Sequence, residues 1–258
     1  MKAIKRAIVC GSTDGIGKAI ALSLCKEGYA ITLIARDLRK LEIVKSELDK
    51  LNSNNHFFIQ LDFNQPESIK PSLAAVENWQ ATEFMLINNV GGPMPQNILE
   101  CEIQDFQSVF NKYLLSFSEL SKFFGSKMKK ANWGRIVNIL GTTILEPIPG
   151  FSLSVVKSAT SNWAKALSIE LGKFNITVNN VLPGPTNTKE LDEIIDIVSK
   201  QTGITREQLI NDTVTRIPLR RFAEPTEIAD SVTFLCSDKA AFITGSNIKI
   251  DGGYSTCL

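Results

Sequence analysis

The residues with the plainest chemical use stand near the amino end, in Cys10-Gly11-Ser12-Thr13-Asp14-Gly15-Ile16-Gly17. This run follows a short apolar segment and opens an amphipathic one, the setting of a strand, a turn and a helix. In that setting Gly11 permits the tight turn, Gly15 lets backbone approach a pyrophosphate, and Gly17 brings helix and strand together. The exposed N–H groups and positive end of the helix form an anion site. Gly11, Ser12, Thr13, Asp14, Gly15, Ile16 and Gly17 are therefore expected to hold phosphates. A second pointer is Leu33-Ile34-Ala35-Arg36-Asp37. At the end of such a strand an acidic residue binds a ribose 2′-hydroxyl, or an arginine accommodates a 2′-phosphate. Arg36 comes first, and its planar donors suit phosphate in a fork. NADP(H) is expected over NAD(H), with Asp37 as the opposing charge.

Other chemistries find little support. The sole histidine, His56, has no partners for a metal site or a Ser-His relay and reads as a loop or strand-edge residue; no metal is expected. Cys10, Cys25, Cys101, Cys236 and Cys257 are dispersed and odd in number, which suits reduced thiols. The 258 residues carry a net charge of +1, so neither nucleic acid nor an anionic membrane is expected as a partner. No segment approaches the roughly 18 consecutive apolar residues of a membrane span. The basic start, Met1 to Arg6, lacks the apolar stretch of a signal peptide, and a cytoplasmic protein is expected.

Positioning these residues requires alternating elements. Strands are expected at 7–10, 30–35, 56–61, 84–88, 135–140, 177–181 and 248–250. Helices are expected at 17–26, 38–51 and 154–171, with further helical stretches between the strands. This order builds right-handed βαβ units: an α/β, doubly wound, parallel sheet of seven strands flanked by helices, in one domain. Residues 188–215 break the rhythm and read as a lid inserted over a site.

Several ordered motifs together resemble the short-chain dehydrogenase/reductase family, whose Rossmann-type fold is the one just described. Gly11-xxx-Gly15-x-Gly17 has the family's spacing, and Asn88-Asn89-Val90-Gly91 is similar to its Asn-Asn-Ala-Gly signature. Gly134 to Ile139 matches its fifth strand, and Pro183-Gly184-Pro185-Thr186-Asn187-Thr188 its segment at the nicotinamide end. Ile243-Thr244-Gly245 and Asp251-Gly252-Gly253 match its carboxyl end. The resemblance implies cofactor contacts at Asp62, Phe63, Asn89, Gly91, Pro183, Gly184, Thr186 and Thr188. It also implies a homo-oligomer, a dimer or tetramer.

The family reduces carbonyls with Asn, Ser, Tyr and Lys. By resemblance Asn111 and Lys157 fill two of these places, and Lys157 also contacts the nicotinamide ribose. Tyr and Lys stand one helical turn apart, and one turn before Lys157 stands Leu153. The Ser place falls on Leu140 or Gly141. The departure resembles a 3-oxoacyl-acyl-carrier-protein-reductase-like branch lacking the catalytic Tyr, with Gly91-Gly92-Pro93-Met94-Pro95 and Leu153-Ser154 as its marks. Substitutes open to the sequence are Ser154, which could equally cap its helix, Thr142 or Thr143, and Glu146. Tyr113 is turned about 200° from Asn111 and is expected to point away. The expected function is NADPH-linked reduction of a ketone or 3-oxoacyl thioester; the alternative is a nucleotide-binding regulatory or inactive homologue.

Overall fold

The computed structural model describes residues 5–76, 79, 81–148 and 150–257; residues 1–4 of the basic start lie outside them. Its strands are β1 (Lys5–Cys10), β2 (Ala30–Ala35), β3 (Phe57–Gln60), β4 (Glu83–Asn88), β5 (Gly134–Ile139), β6 (Ile176–Pro183) and β7 (Asn247–Ile250). Its helices are α1 (Gly15–Lys26), α2 (Leu38–Leu51), α3 (Ile69–Ala74), α4 (Ile103–Phe110), α5 (Ser116–Ala131), α6 (Val155–Leu171), α7 (Lys189–Thr202), α8 (Arg206–Arg216) and α9 (Pro225–Cys236). Every strand pairing is parallel, in the order β3-β2-β1-β4-β5-β6-β7. The chain winds outward from β1 to β3, then returns to start β4 on the other side of β1. That reversal opens a crevice at the carboxyl ends of β1 and β4, where such sheets bind ligands.

The strands are apolar on both faces because helices cover both faces. Ala7, Val9, Ile31 and Leu33 pack with Ile20, Leu24, Ile228 and Val232 of α1 and α9. Ile8, Ile34, Leu86 and Ile136 turn the other way, onto Leu120, Phe124 and Met128 of α5. His56 is 2% exposed, just before β3, and its Nδ1 accepts from the N–H of Ile31 at 3.0 Å. It serves as an internal tie between strand ends.

A row of asparagines, buried on β4 to β6 and exposed at its β7 end, fixes the register of the other half. Asn88, Asn138, Asn180 and Asn247 stand side by side on β4 to β7. Each amide nitrogen donates to the next carbonyl oxygen, at 2.8, 2.9 and 2.8 Å. A one-residue slip would strand these amides in the interior, so the row holds the strand ends that carry the site.

Between α4 and α5 the residues Asn111–Leu115 wind as a π turn, a feature frequent at functional sites. Residues 188–215 form α7 and α8, tied by Arg206 to Asp192 at 3.1 Å and to Asp196. No helix among the described residues is long and apolar enough to cross a membrane.

Candidate active site

The amino end of α1 is shaped by contact. A Cβ on Gly17 would lie 2.1 Å from the carbonyl oxygen of Gly11, and one on Gly11 2.7 Å from that of Asn89. Only glycine lets the turn close this far. Ser12 is buried and reaches the Ile34 carbonyl of β2 at 3.5 Å. Asn89 donates to the carbonyls of Cys10 and Gly11, both at 3.3 Å, tying the turn to the end of β4. Asp14 caps α1 by accepting from the N–H of Gly15 at 2.9 Å, and pairs with Lys189 at 3.0 Å. The next N–H groups of the helix, at Ile16 and Gly17, have no partner within a helix's first turn. Such groups could hold a phosphate.

At the end of β2, Arg36 is exposed. Asp37 is spent on capping α2, accepting from the N–H of Lys40 at 3.1 Å. Arg36, Arg39 and Lys40 then leave this corner basic, which suits a 2′-phosphate. After β3, Asp62 accepts from the backbone and side chain of Asn64 at 3.0 and 3.1 Å. The ring of Phe63 is in the core, and its carbonyl accepts from the Ser116 hydroxyl at 2.9 Å.

Beyond β5 the chemistry changes character. Lys157 lies on α6 with its Nζ 5.1 Å from the centre of the Tyr113 ring. Burial pushes its pKa down, and the negative charge of Glu190 works against that. Among the described residues its ammonium has no hydrogen-bond or ion-pair acceptor. Leu153 is 5% exposed, packed with Leu140, Tyr113, Phe117 and Val156. Gly141 has a φ of +93°, a conformation that disfavours any side chain there. A Cβ on it would stand 4.0 Å from Oγ1 of Thr143, a buried hydroxyl without a partner.

The structure redistributes the other sequence-derived candidates. Asn111 and Tyr113 do point apart, but Tyr113 is the one beside Lys157. The Asn111 amide donates to the Asn64 carbonyl at 3.4 Å, away from the ammonium. The Tyr113 hydroxyl donates towards the Val90 and Gly91 carbonyls at 3.3 and 3.4 Å, at the crevice. The expectation that Tyr113 faces away from the site is thus corrected: the face that matters is set by where α6 packs. Ser154 does not cap α6; it is already helical, 5% exposed, and makes no capping bond. Glu146 binds the backbone and hydroxyl of Thr256 at 3.2 and 3.1 Å, holding the carboxyl-terminal tail. Thr142 is buried.

The strap after β6 closes the crevice. A Cβ on Gly184 would lie 2.8 Å from Cα of Asp251, so Pro183-Gly184 rests on the segment after β7. The Thr186 hydroxyl donates to the Gly184 carbonyl at 2.9 Å. Thr188 caps α7 and touches the phosphate turn, its Cγ2 3.1 Å from a Cβ built on Gly15. Sequence reasoning missed Glu190, whose carboxylate accepts from the N–H of Gly92 at 2.6 Å. Its place in an acidic first turn of α7 was the one available signal.

A reversed parallel sheet, a glycine turn on a helix end and a lysine facing the same crevice define a dinucleotide-binding α/β protein. Residues 11–255 match the family model described as Enoyl-(Acyl carrier protein) reductase. The chain belongs to the short-chain dehydrogenase/reductase family. It is similar to the NADPH-dependent reductase BacG of Bacillus subtilis (strain 168), 31% identical over 96% of this chain and 97% of that one. It is equally similar, at 31% over 98% and 99% of the two chains, to the 3-oxoacyl-[acyl-carrier-protein] reductase FabG of Staphylococcus aureus (strain Mu50 / ATCC 700699). The L-sorbose reductase of Gluconobacter frateurii, solved with NADPH and L-sorbose, superposes with a TM-score of 0.90 at 27% identity, covering 99% and 98%.

Proposed function

We propose that this chain is an NADPH-linked reductase of ketones or 3-oxoacyl thioesters that works with an altered set of catalytic residues. The observation that carries this reading is Lys157: among the described residues its ammonium has no hydrogen-bond or ion-pair acceptor, and it lies beside the Tyr113 ring and the loop after β4, on the crevice that begins at the glycine turn. That ammonium has three donors to offer a ligand. The two hydroxyls of a nicotinamide ribose would complete it, as phosphate oxygens would complete the N–H groups of Ile16 and Gly17. The basic corner at Arg36 favours NADPH over NADH, in keeping with the relatives whose names carry NADPH.

When bound, the cofactor supplies a hydride from its nicotinamide ring. The chain's own residues bind the phosphates at α1, orient the ribose at Lys157, and exclude water with Leu140, Leu153 and Tyr113. Leu153 stands where the family's phenol is expected, and Leu140 or Gly141 where its serine is. The substrate oxygen is then left to hydroxyls nearby: Ser154, free of any capping bond, and Thr143, buried without a partner. Neither has the acidity of a phenol. Reduction is expected to be slow, since a positioned general acid is typically worth about 10²–10⁴-fold.

Purified protein mixed with NADPH and a panel of simple ketones and 3-oxoacyl thioesters should lose absorbance at about 340 nm, where the reduced ring absorbs. No turnover with any of them overturns the reading. A second reading, a nucleotide-binding protein without activity, is favoured by one observation, the sealing of Leu153 into an apolar cluster. It predicts saturable NADPH binding with no carbonyl-dependent oxidation. Exposed Phe110, Leu115 and Val155 offer an apolar face for a second copy, and light scattering should then give a dimer or tetramer mass.

A further inference from the structure

Glu190 has none of the roles above. It lies in the first turn of α7, two residues after the capping Thr188, and the residue between them, Lys189, is anchored to Asp14 at 3.0 Å. With the strap pinned there, the Glu190 side chain crosses to the loop after β4, where Oε1 accepts from the N–H of Gly92 at 2.6 Å. A Cβ built on Gly92 would stand 2.7 Å from that oxygen and 3.5 Å from Nζ of Lys157. Carboxylate and ammonium therefore flank one backbone position, where a Cβ would press on the carboxylate.

Among the described residues, the charge that acts on Lys157 is that of Glu190. The π turn contributes the Tyr113 ring, the loop after β4 contributes Gly92, and Leu153 and Val156 share an apolar cluster with Tyr113. We infer that Glu190 is a positioning residue for Lys157, supplying from the strap the negative charge that keeps this side chain an ammonium in a site with leucine where a phenol is expected. The inference rests on the reductase reading only in giving the ammonium its use. A neutral amine would neither hold ribose hydroxyls with three donors nor stabilise negative charge growing on a carbonyl oxygen. Burial alone drives the side chain towards that amine, and an opposite charge a few ångströms away opposes it.

The test is a titration of Lys157 in the full chain by NMR after reductive ¹³C-methylation, its signal assigned by its loss in Lys157→Arg. Glu190→Gln keeps an oxygen for the Gly92 N–H and removes the charge. Its Lys157 midpoint should fall by about one pH unit, as expected for one charge at this range in a partly solvated site. Glu190→Asp should recover part of that fall. The alkaline limb of NADPH-linked turnover should move with the midpoint. An unchanged midpoint in Glu190→Gln overturns the inference. If that variant does not fold, Gly92→Ala, which displaces the carboxylate, must give the same fall, and no fall there overturns it equally. A falling midpoint in a protein that reduces no carbonyl supports the pair and defeats the reductase reading instead.

Discussion

The two ends of the crevice are made differently. Around the β1–α1 turn three polar side chains are committed: Ser12 to β2, Asn89 to Cys10 and Gly11, Asp14 to the helix end. What stays open is a patch of backbone N–H groups, framed rigidly because Gly17 lets two backbones touch. Across the sheet, around β5 and α6, the proportions invert. Leu140, Leu153, Val156 and Phe117 make an apolar wall, and the open polar groups include the Lys157 ammonium and the Thr143 hydroxyl. On the proposed reading, holding the cofactor and transforming a substrate would rest on separable sets of residues.

The largest effect should come from breaking the first end alone. Gly17→Ala places a methyl 2.1 Å from the Gly11 carbonyl oxygen, a backbone atom that cannot yield. Fluorescence titration with NADPH should lose its saturable signal while circular dichroism keeps the α/β signature; normal binding would show the turn is not the phosphate site. Lys157→Met strikes the second end. It should cut kcat/KM for carbonyl reduction by about 10²–10³-fold, the usual worth of one electrostatic donor, and leave NADPH binding measurable though weaker. Leu153→Tyr sharpens the contrast from the other side. It restores a phenol one turn before the ammonium at a packing cost of about 1–3 kcal/mol. Turnover should rise by about tenfold or more, and a folded variant with no gain would mean the wall blocks substrate.

How far each end could be read from sequence follows from the same contrast. The phosphate turn is local: eight consecutive residues carry glycine spacing, strand and helix, and β2 and α2 fall at 30–35 and 38–51 as expected. The catalytic end is assembled from distant pieces. Glu190 meets Gly92 across 98 positions, and Glu146 meets Thr256 across 110. The asparagine row exists only once four strands are in register. Tyr113 was misread because helix rotation fixes its angle to Asn111 but not which of the two faces α6. Ser154 looked like a cap because hydroxyls commonly are, yet the preceding 3-10 turn, Ser152–Ser154, carries it into helical geometry before α6 begins.

A smaller effect separates the cofactors. Arg36→Ala removes a charge-assisted contact of about 1.5–3 kcal/mol, so NADPH should bind about ten- to a hundredfold more weakly while NADH is little changed. With Asp37 capping α2, Asp37→Asn should scarcely alter the preference. Equal losses for both dinucleotides would place the 2′-phosphate elsewhere.

The smallest effect concerns the frame behind the first end. His56 is buried, its Nδ1 accepting from Ile31 and its Nε2 2.9 Å from Oδ1 of Asn52. This is the arrangement of a neutral ring that donates from Nε2. Burial is the main cause holding its pKa below the ordinary 6.5, with the charges of Arg6 and Lys45 adding to it and Asp49 opposing. The unfolded chain therefore binds a proton at His56 before the folded one does. Its contribution to stability is complete above pH 6.5 and is lost as pH falls from there through the lowered folded value. Within that window one proton of difference gives a slope of at most about 1.4 kcal/mol per pH unit. Urea unfolding at stepped pH should show that slope in the native sequence and a flatter line in His56→Gln. Parallel lines would mean the ring protonates in place and the tie between β2 and the segment before β3 survives it. Because β2 carries Arg36 at its end, the same acid titration should weaken NADPH before it weakens the α6 side of the crevice.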